Sequence, residues 1–106
     1  MAKVKKETLD EIVRRIVEVA QPERIIMFGS AARDELGPHS DVDLLVVKSD
    51  VEHRHRLVGD IYMNLFGVDQ AVDIVVTTPE DLERYGDAIG LVYRPALREG
   101  KVIYVA

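Results

Sequence analysis

The chain has 106 residues, of which 47% are apolar and 31% charged, with a formal net charge of −5 and no cysteine. One small domain with an apolar core fits this composition, whereas disulfides and thiolate metal sites are excluded. The acidic balance argues against general nucleic-acid binding, which needs a basic surface for the phosphates. No apolar run approaches the ~20 residues that span a bilayer, and the N-terminus does not resemble a signal peptide, so no membrane association and a cytoplasmic location are expected.

The first predicted element is a helix. Apolar residues recur at i, i+3, i+4 and i+7 over residues 7–20, which is typical of an amphipathic helix. Thr8 is a possible N-cap, because Glu11 follows three residues later as in a capping box. Gln21 precedes a proline and is therefore expected to end the helix.

The second element is a strand that ends in a tight turn. The continuous apolar run over residues 24–28 predicts a buried strand, closed by Gly29 and Ser30. A short helix is expected over residues 31–36, where Gly37 and the proline after it stop it.

The rest of the chain continues the alternation of strands and helices. The patterns predict a strand over 40–47, a helix over 51–66, a strand over 71–78, a helix beginning at Thr78, and a short final strand over 101–105. Helices alternating with strands indicate one α/β domain over residues 1–106.

Asp41 and Asp43 lie two residues apart at the head of the second apolar strand. Because side chains alternate along a strand, both carboxylates are expected on the same face and close together. Two like charges so placed disfavour joint ionisation, which a hard divalent cation relieves. Mg²⁺ commonly binds one or two carboxylates together with substrate phosphates, although an Asp-x-Asp pair alone is more often a loop end or strand cap.

Asp73 lies between Val72 and Ile74 near the start of the third apolar strand. A carboxylate in such a run is costly to bury unless it is paired or bound to a metal, but at a strand edge it can face water. If the two strands are neighbours, Asp73 completes a cluster with Asp41 and Asp43. Such a cluster suits two-metal phosphoryl transfer.

The Gly29-Ser30 turn is a candidate phosphate site. Glycine lets a phosphate approach the backbone closely, and backbone N–H groups with the Ser30 hydroxyl can bind its oxygens. Most Gly-Ser dipeptides are plain turns. The prediction therefore depends on the combination of an apolar strand into Gly-Ser, an Asp-x-Asp opening the next strand, and an acid within a third.

Two short stretches, residues 29–33 (GSAAR) and 40–44 (SDVDL), resemble the signature of the DNA polymerase β-like nucleotidyltransferase superfamily. The pattern Gly-Ser-x-Ala-Arg, a spacer, and Ser-Asp-x-Asp-Leu looks like its minimal nucleotidyltransferase branch, and the resemblance covers nearly the whole chain. It implies an α/β fold with a small mixed β-sheet, three-stranded at its core, and helices packed on it.

The resemblance also implies roles for the candidate residues. Asp41 and Asp43 would hold two Mg²⁺ ions, and Asp73 would join the ion nearer the attacking hydroxyl. Gly29 and Ser30 would hold the β- and γ-phosphates of ATP or another nucleoside triphosphate. A nucleoside monophosphate would then be transferred while pyrophosphate leaves.

Arg33 matches the arginine of the pattern. It either assists with phosphate or forms a salt bridge to Asp34 or Glu35, and the residues leave both readings open. Many relatives carry a basic residue where this chain has Ala31, and glycine where it has Asp34. These departures weaken predictions about how tightly the triphosphate is held and leave the three aspartates unaffected.

The family further implies a protein partner. Minimal nucleotidyltransferases resemble the antitoxin half of toxin–antitoxin pairs, in which they transfer AMP to a tyrosine of a HEPN-domain ribonuclease. So small a chain has little room for an acceptor-binding domain, and its marginal size also leaves a homo-oligomer open. Two alternatives stand beside this: a non-catalytic antitoxin that neutralises its partner by contact, and a small-molecule nucleotidyltransferase of the aminoglycoside type.

The histidines and aromatic residues receive no functional role at this point. His53 and His55 lie two apart in a predicted helix, so they do not share a face and are expected in solvent. His39 is read as a loop residue near the acids. The aromatic residues expected in the core or at an interface are Tyr62, Phe66, Tyr85 and Tyr93.

Overall fold

The structure, a computed structural model, describes residues 4–33, 41–85 and 100–106. Within these ranges the elements are α1 (Lys6–Ala20), β1 (Arg24–Phe28), α2 (Gly29–Ala32), β2 (Val42–Val47), α3 (Arg54–Asn64), β3 (Val72–Thr77), α4 (Pro79–Tyr85) and β4 (Lys101–Val105). The strands form one mixed sheet in the order β3-β2-β1-β4. The predicted α/β fold is confirmed, and the expected final strand adds a fourth strand beside β1.

The strand directions bring three chain segments to the same end of the sheet. β1 is antiparallel to β2 and to β4, whereas β2 and β3 are parallel and are joined through α3. Because β1 runs opposite to its neighbour β2 and to β3, its carboxyl end lies beside the amino ends of both. Every candidate site residue within the described ranges lies at or next to this end of the sheet.

Helices cover both faces of the sheet. On the face covered by α1 and α3, the main fully buried residues are Ile12, Ile16, Val42, Leu44, Val46 and Ile61. On the opposite face, a smaller cluster contains Ile26, Leu45, Val47 and Leu82 of α4. Successive residues of β2 therefore enter different cores, which explains its continuous apolar run.

The start of α1 differs from the sequence prediction, whereas its end agrees with it. α1 begins two residues before Thr8 and no side chain caps it, so the predicted N-cap is wrong. Glu11 instead accepts hydrogen bonds from Arg14 and Arg15, which lie three and four residues away on the same helix. The predicted end of the helix is confirmed, because Gln21 leaves the helical conformation with φ 45°.

The bounds of two other helices also differ from the prediction. α3 spans Arg54–Asn64 rather than 51–66, and α2 is a single turn that begins at Gly29 rather than Ala31. The predicted continuation of α2 over residues 34–36 lies outside the described residues. No helix in the described ranges is long and apolar enough to cross a membrane.

Arg15 joins α1 to the end of α3. Its Nη1 donates to the carbonyl oxygens of Asn64 and Phe66 at 3.2 and 2.9 Å, and Asn64 Nδ2 donates to the Arg15 carbonyl at 2.8 Å. The last carbonyls of a helix have no intrahelical partner, so an external donor is needed there. α3 is thus held to α1 by polar contacts as well as by the core.

Replacing Arg15 with Met should lower the free energy of unfolding by ~1–3 kcal/mol, because two carbonyl oxygens lose their donor. Arg14→Met is the matched control: Arg14 is 58% exposed and pairs with Glu11 and Glu18 on its own helix. Exposed pairs of that kind contribute little to stability. Urea unfolding followed by circular dichroism measures both variants, and equal losses would show that Arg15 does not link the helices.

Candidate functional site

The turn after β1 is pressed against an acidic side chain. Phe28, the last residue of β1, lies opposite Asp43 in the β1–β2 register. Gly29 follows with φ 70°, and a Cβ atom there would lie 2.4 Å from Asp43 Oδ2. The left-handed backbone conformation favours glycine, and any side chain there would also displace the Asp43 carboxylate. The turn and the carboxylate therefore form one contiguous surface.

Asp43 and Asp73 lie directly opposite each other in the parallel β2–β3 pair. Neighbouring strands are ~4.8 Å apart and paired residues share a face, so the two carboxylates are near neighbours. The pKa of Asp43 is raised above its ordinary value, first by burial and then by the charges of Asp73 and Asp41. The condition stated from the sequence, that the strand of Asp73 neighbours the strand of Asp43, is met.

Asp41 lies just before β2, two residues from Asp43, and is exposed, as is Asp73. Among the residues that the structure describes, no three histidine, aspartate or glutamate side chains are placed to hold a metal ion by themselves. Asp43 and Asp73 are thus brought together with Asp41 nearby, without a complete set of protein ligands. Mg²⁺ prefers oxygen ligands and characteristically keeps waters or substrate phosphates among them. A small group of carboxylates therefore supplies suitable protein ligands for it.

The α2 turn supplies the other side of the candidate site. The first N–H groups of a helix have no intrahelical acceptor, so those after Gly29 can donate to an anion beside the partly buried Ser30. The Arg33 N–H closes the turn by donating to the carbonyl oxygens of Gly29 and Ser30, at 3.3 and 3.2 Å. The exposed Arg33 side chain lies at the end of this turn. Its predicted acidic partners at positions 34 and 35, and His39, lie outside the described residues.

Ala31, a position at which the chain departs from the pattern that it resembles, is 2% exposed and belongs to the core beneath α1 and α3. A charged side chain at this position would have to leave that core to reach a phosphate. The departure from the family pattern therefore has a packing reason in this chain.

Sequence reasoning missed the role of Tyr62. Predicted as a core or interface aromatic, it is 40% exposed, and its hydroxyl accepts the Ile74 N–H at 2.8 Å and donates to Asp73 Oδ1 at 3.3 Å. Burial raises the pKa of the Tyr62 phenol, and the charges of Asp73 and Asp41 raise it further. The phenol therefore stays protonated, and able to donate, at neutral pH.

The remaining predictions about aromatic residues and histidines have mixed outcomes. Phe66 is 85% exposed and lies outside the core. His53 and His55 are exposed at the start of α3, as predicted. The side chain of Tyr85 and the whole of Tyr93 lie outside the described residues.

Comparison with known proteins gives a family and a fold. A family model described as a nucleotidyltransferase domain matches residues 6–105. A candidate nucleotidyltransferase from Sulfolobus solfataricus is 19% identical with a TM-score of 0.62, covering 93% of this chain and 78% of the other. A toxin–antitoxin structure with AMP-PNP is 22% identical with a TM-score of 0.62, covering 92% and 73%. None of the curated proteins matches the sequence.

Replacing Gly29 with Ala should lower the free energy of unfolding by more than ~2 kcal/mol, since a left-handed alanine costs ~1–2 kcal/mol and Asp43 must also move. Gly67→Ala isolates the backbone cost, because Gly67 has φ 91° but nothing within 4 Å of the added Cβ. Gly59→Ala, in open space within α3, should instead stabilise by ~0.5–1 kcal/mol. Chemical unfolding gives all three values; a Gly29 variant no worse than the Gly67 variant would contradict the close contact with Asp43.

Asp43→Asn should stabilise the metal-free protein at neutral pH. The folded-state pKa of Asp43 is raised, so its contribution to stability is fully present below the ordinary value of 3.8 and is lost as pH rises through the folded value. Removing the charge should therefore raise the Tm at pH 7. The gain should disappear below pH 3.8.

Thermal unfolding in chelator-treated buffer at several pH values measures this effect. Asp10→Asn, at an exposed position on α1, is the control for loss of one negative charge. A lower Tm for the Asp43 variant at pH 7 would mean that the carboxylate stabilises the fold without a cation.

Proposed function

The chain belongs to the nucleotidyltransferase domain family, and we propose that it is a Mg²⁺-dependent enzyme that transfers AMP from ATP to a hydroxyl group of a partner protein. The observation that carries the proposal is the lateral alignment of Gly29, Asp43 and Asp73 on three adjacent strand ends. Family membership supports the reaction class. The likeness to a toxin–antitoxin structure with AMP-PNP favours an adenine nucleotide and a protein acceptor.

The strand order gives the proposed site a direction. β1 and its turn are at one side, β2 is central, and β3 is an edge strand. The triphosphate would lie toward Gly29 and Ser30, where backbone N–H groups and a hydroxyl are available. Asp73, exposed on the edge strand, is the carboxylate that an incoming acceptor meets first.

The acidic residues would hold the cations. Asp41 and Asp43 would bind two Mg²⁺ ions and Asp73 would join the one on the acceptor side; when bound, these ions neutralise the triphosphate and favour an ionised acceptor oxygen. The raised pKa of Asp43 supports this: it comes from burial and then from the charges of Asp73 and Asp41, and a bound cation would favour the ionised carboxylate. Arg33, at the end of the phosphate turn, would assist with the leaving phosphates.

The transfer itself is an in-line displacement. The acceptor oxygen forms a bond to the α-phosphorus while the bond from that phosphorus to the bridging oxygen breaks, and pyrophosphate leaves toward Gly29 and Ser30. The acceptor proton passes toward the Asp73 carboxylate. Positioning and electrostatic stabilisation account for most catalysis in reactions of this kind.

The acceptor we favour is a tyrosine of a HEPN-type toxin, which would make this chain its antitoxin. A tyrosine hydroxyl on another protein can approach the exposed edge strand that carries Asp73. In this proposal residues 1–106 form one catalytic domain that works in the cytoplasm, where ATP and Mg²⁺ are supplied.

The test is transfer of label from ATP labelled at the α-phosphate, with Mg²⁺ and the protein encoded beside this one. We expect a labelled tyrosine on that partner, and a loss of at least about 100-fold in Asp43→Asn, as for removal of other transition-state-stabilising groups. Asp60→Asn, at an exposed position on α3, should retain full activity. Parallel reactions with the other labelled triphosphates report the base preference.

Two outcomes would replace the proposal. If Asp43→Asn neutralises the partner as well as the unaltered chain does and no label is transferred, the protein acts as an antitoxin by contact alone. If an aminoglycoside is labelled and the partner protein is not, the chain is a small-molecule nucleotidyltransferase.

A further inference from the structure

In the part of the chain that the structure describes, β3 has no strand on its outer edge, and a side chain of another element forms a hydrogen bond there. Val42 N–H donates to Ala71 O, and Lys48 N–H donates to Thr77 O, at 2.9 Å each. In a parallel pair this pattern directs the odd-numbered residues of β3 toward β2 and the even-numbered ones outward. The Ile74 N–H therefore points to this outer edge, where the Tyr62 hydroxyl accepts it at 2.8 Å.

The same hydroxyl contacts the candidate catalytic group. With its oxygen accepting the Ile74 N–H, the Tyr62 hydroxyl directs its proton to Asp73 Oδ1 at 3.3 Å. An exposed aspartate on an edge strand otherwise samples several rotamers. Tyr62 belongs to α3, whose end is held to α1 through Arg15. The hydroxyl thus links Asp73 to the packed part of the fold.

We propose that Tyr62 is a positioning residue, which holds the Asp73 carboxylate in the orientation needed to bind the acceptor-side cation and receive the acceptor hydroxyl. The catalytic part of this inference rests on the proposed function. Groups that orient a metal-binding carboxylate typically change metal affinity or activity by about 10–100-fold when removed. Because Tyr62 lies at the acceptor end, its removal should affect turnover more than ATP binding.

Tyr62→Phe tests the proposal by removing one oxygen from a ring that is 40% exposed. Tyr104→Phe is the matched control, since Tyr104 is a tyrosine of β4, the edge strand on the other side of the sheet. The first readout needs no catalysis. Each variant is titrated with Mn²⁺ in the presence of a non-hydrolysable ATP analogue, and electron paramagnetic resonance measures the free Mn²⁺. We expect the affinity for the more weakly bound of the two Mn²⁺ ions to fall by about 10-fold in Tyr62→Phe and to stay unchanged in the control.

The second readout is steady-state transfer to the partner. In Tyr62→Phe we expect kcat to fall by about 10-fold while KM for ATP changes by less than about 2-fold. Amide exchange at Ile74 should accelerate in the same variant, because its N–H loses its acceptor. In the Asp73→Asn background, Tyr62→Phe should add no further loss of Mn²⁺ affinity, since the hydroxyl acts through that carboxylate.

Faster exchange at Ile74 with unchanged Mn²⁺ affinity would overturn the proposal and leave Tyr62 as a group that only protects the sheet edge. The same conclusion would follow if Tyr62→Phe weakened Mn²⁺ binding equally with and without Asp73. Should the unaltered chain transfer no label at all, the proposed function fails, while the Mn²⁺ titrations still decide whether Tyr62 positions Asp73.

Discussion

The contact on which the rest of the site depends is that between the β1 turn and the Asp43 carboxylate. It follows from the register of β1 on β2, which sets Phe28 opposite Asp43 and so brings Gly29 against the carboxylate. The parallel register of β2 on β3 then places Asp73 beside Asp43. A shift of either strand by one residue would turn an aspartate into the core beneath α1 and α3. The apolar alternation of the sheet and the acidic grouping therefore specify the same register.

This arrangement places an electrostatically unfavourable group at the end of a well-packed sheet. The pKa of Asp43 is raised by burial and by its acidic neighbours, so its ionised form opposes folding. The strand that carries it compensates, since Leu44 to Val47 are fully buried in the two cores on either side of the sheet. Local instability of this kind, held in place by a strong core, is typical of functional sites rather than of structural ion pairs.

The sequence was sufficient to predict the features that depend on short-range pattern. The apolar run after Asp43 predicted that this residue lies at the head of a buried strand, and the apolar run around Asp73 predicted another strand. The N-cap at Thr8 was wrong because Arg14 and Arg15 compete for Glu11. Contacts between elements distant in the chain, such as that of Tyr62 with Ile74, leave no periodic signal. The conformation required at Gly29 was foreseen, whereas its contact with Asp43 depends on strand register, which no single segment specifies.

The two ends of the proposed site use different chemical groups, backbone at one end and a side chain at the other, and this difference follows from the topology. At the proposed phosphate end the binding groups belong mainly to the backbone. There β1 is an inner strand, and the turn after it is packed against Asp43 at Gly29 and into the core at the buried Ala31. The proposed acceptor end is a side chain on β3, which among the described strands has a neighbour on one side only, so that a partner can approach from the other side. The crossover from β2 to β3 passes through α3 and brings Tyr62 to that open side. A parallel strand pair thus supplies, through its connecting helix, the hydrogen bond that an edge position would otherwise lack.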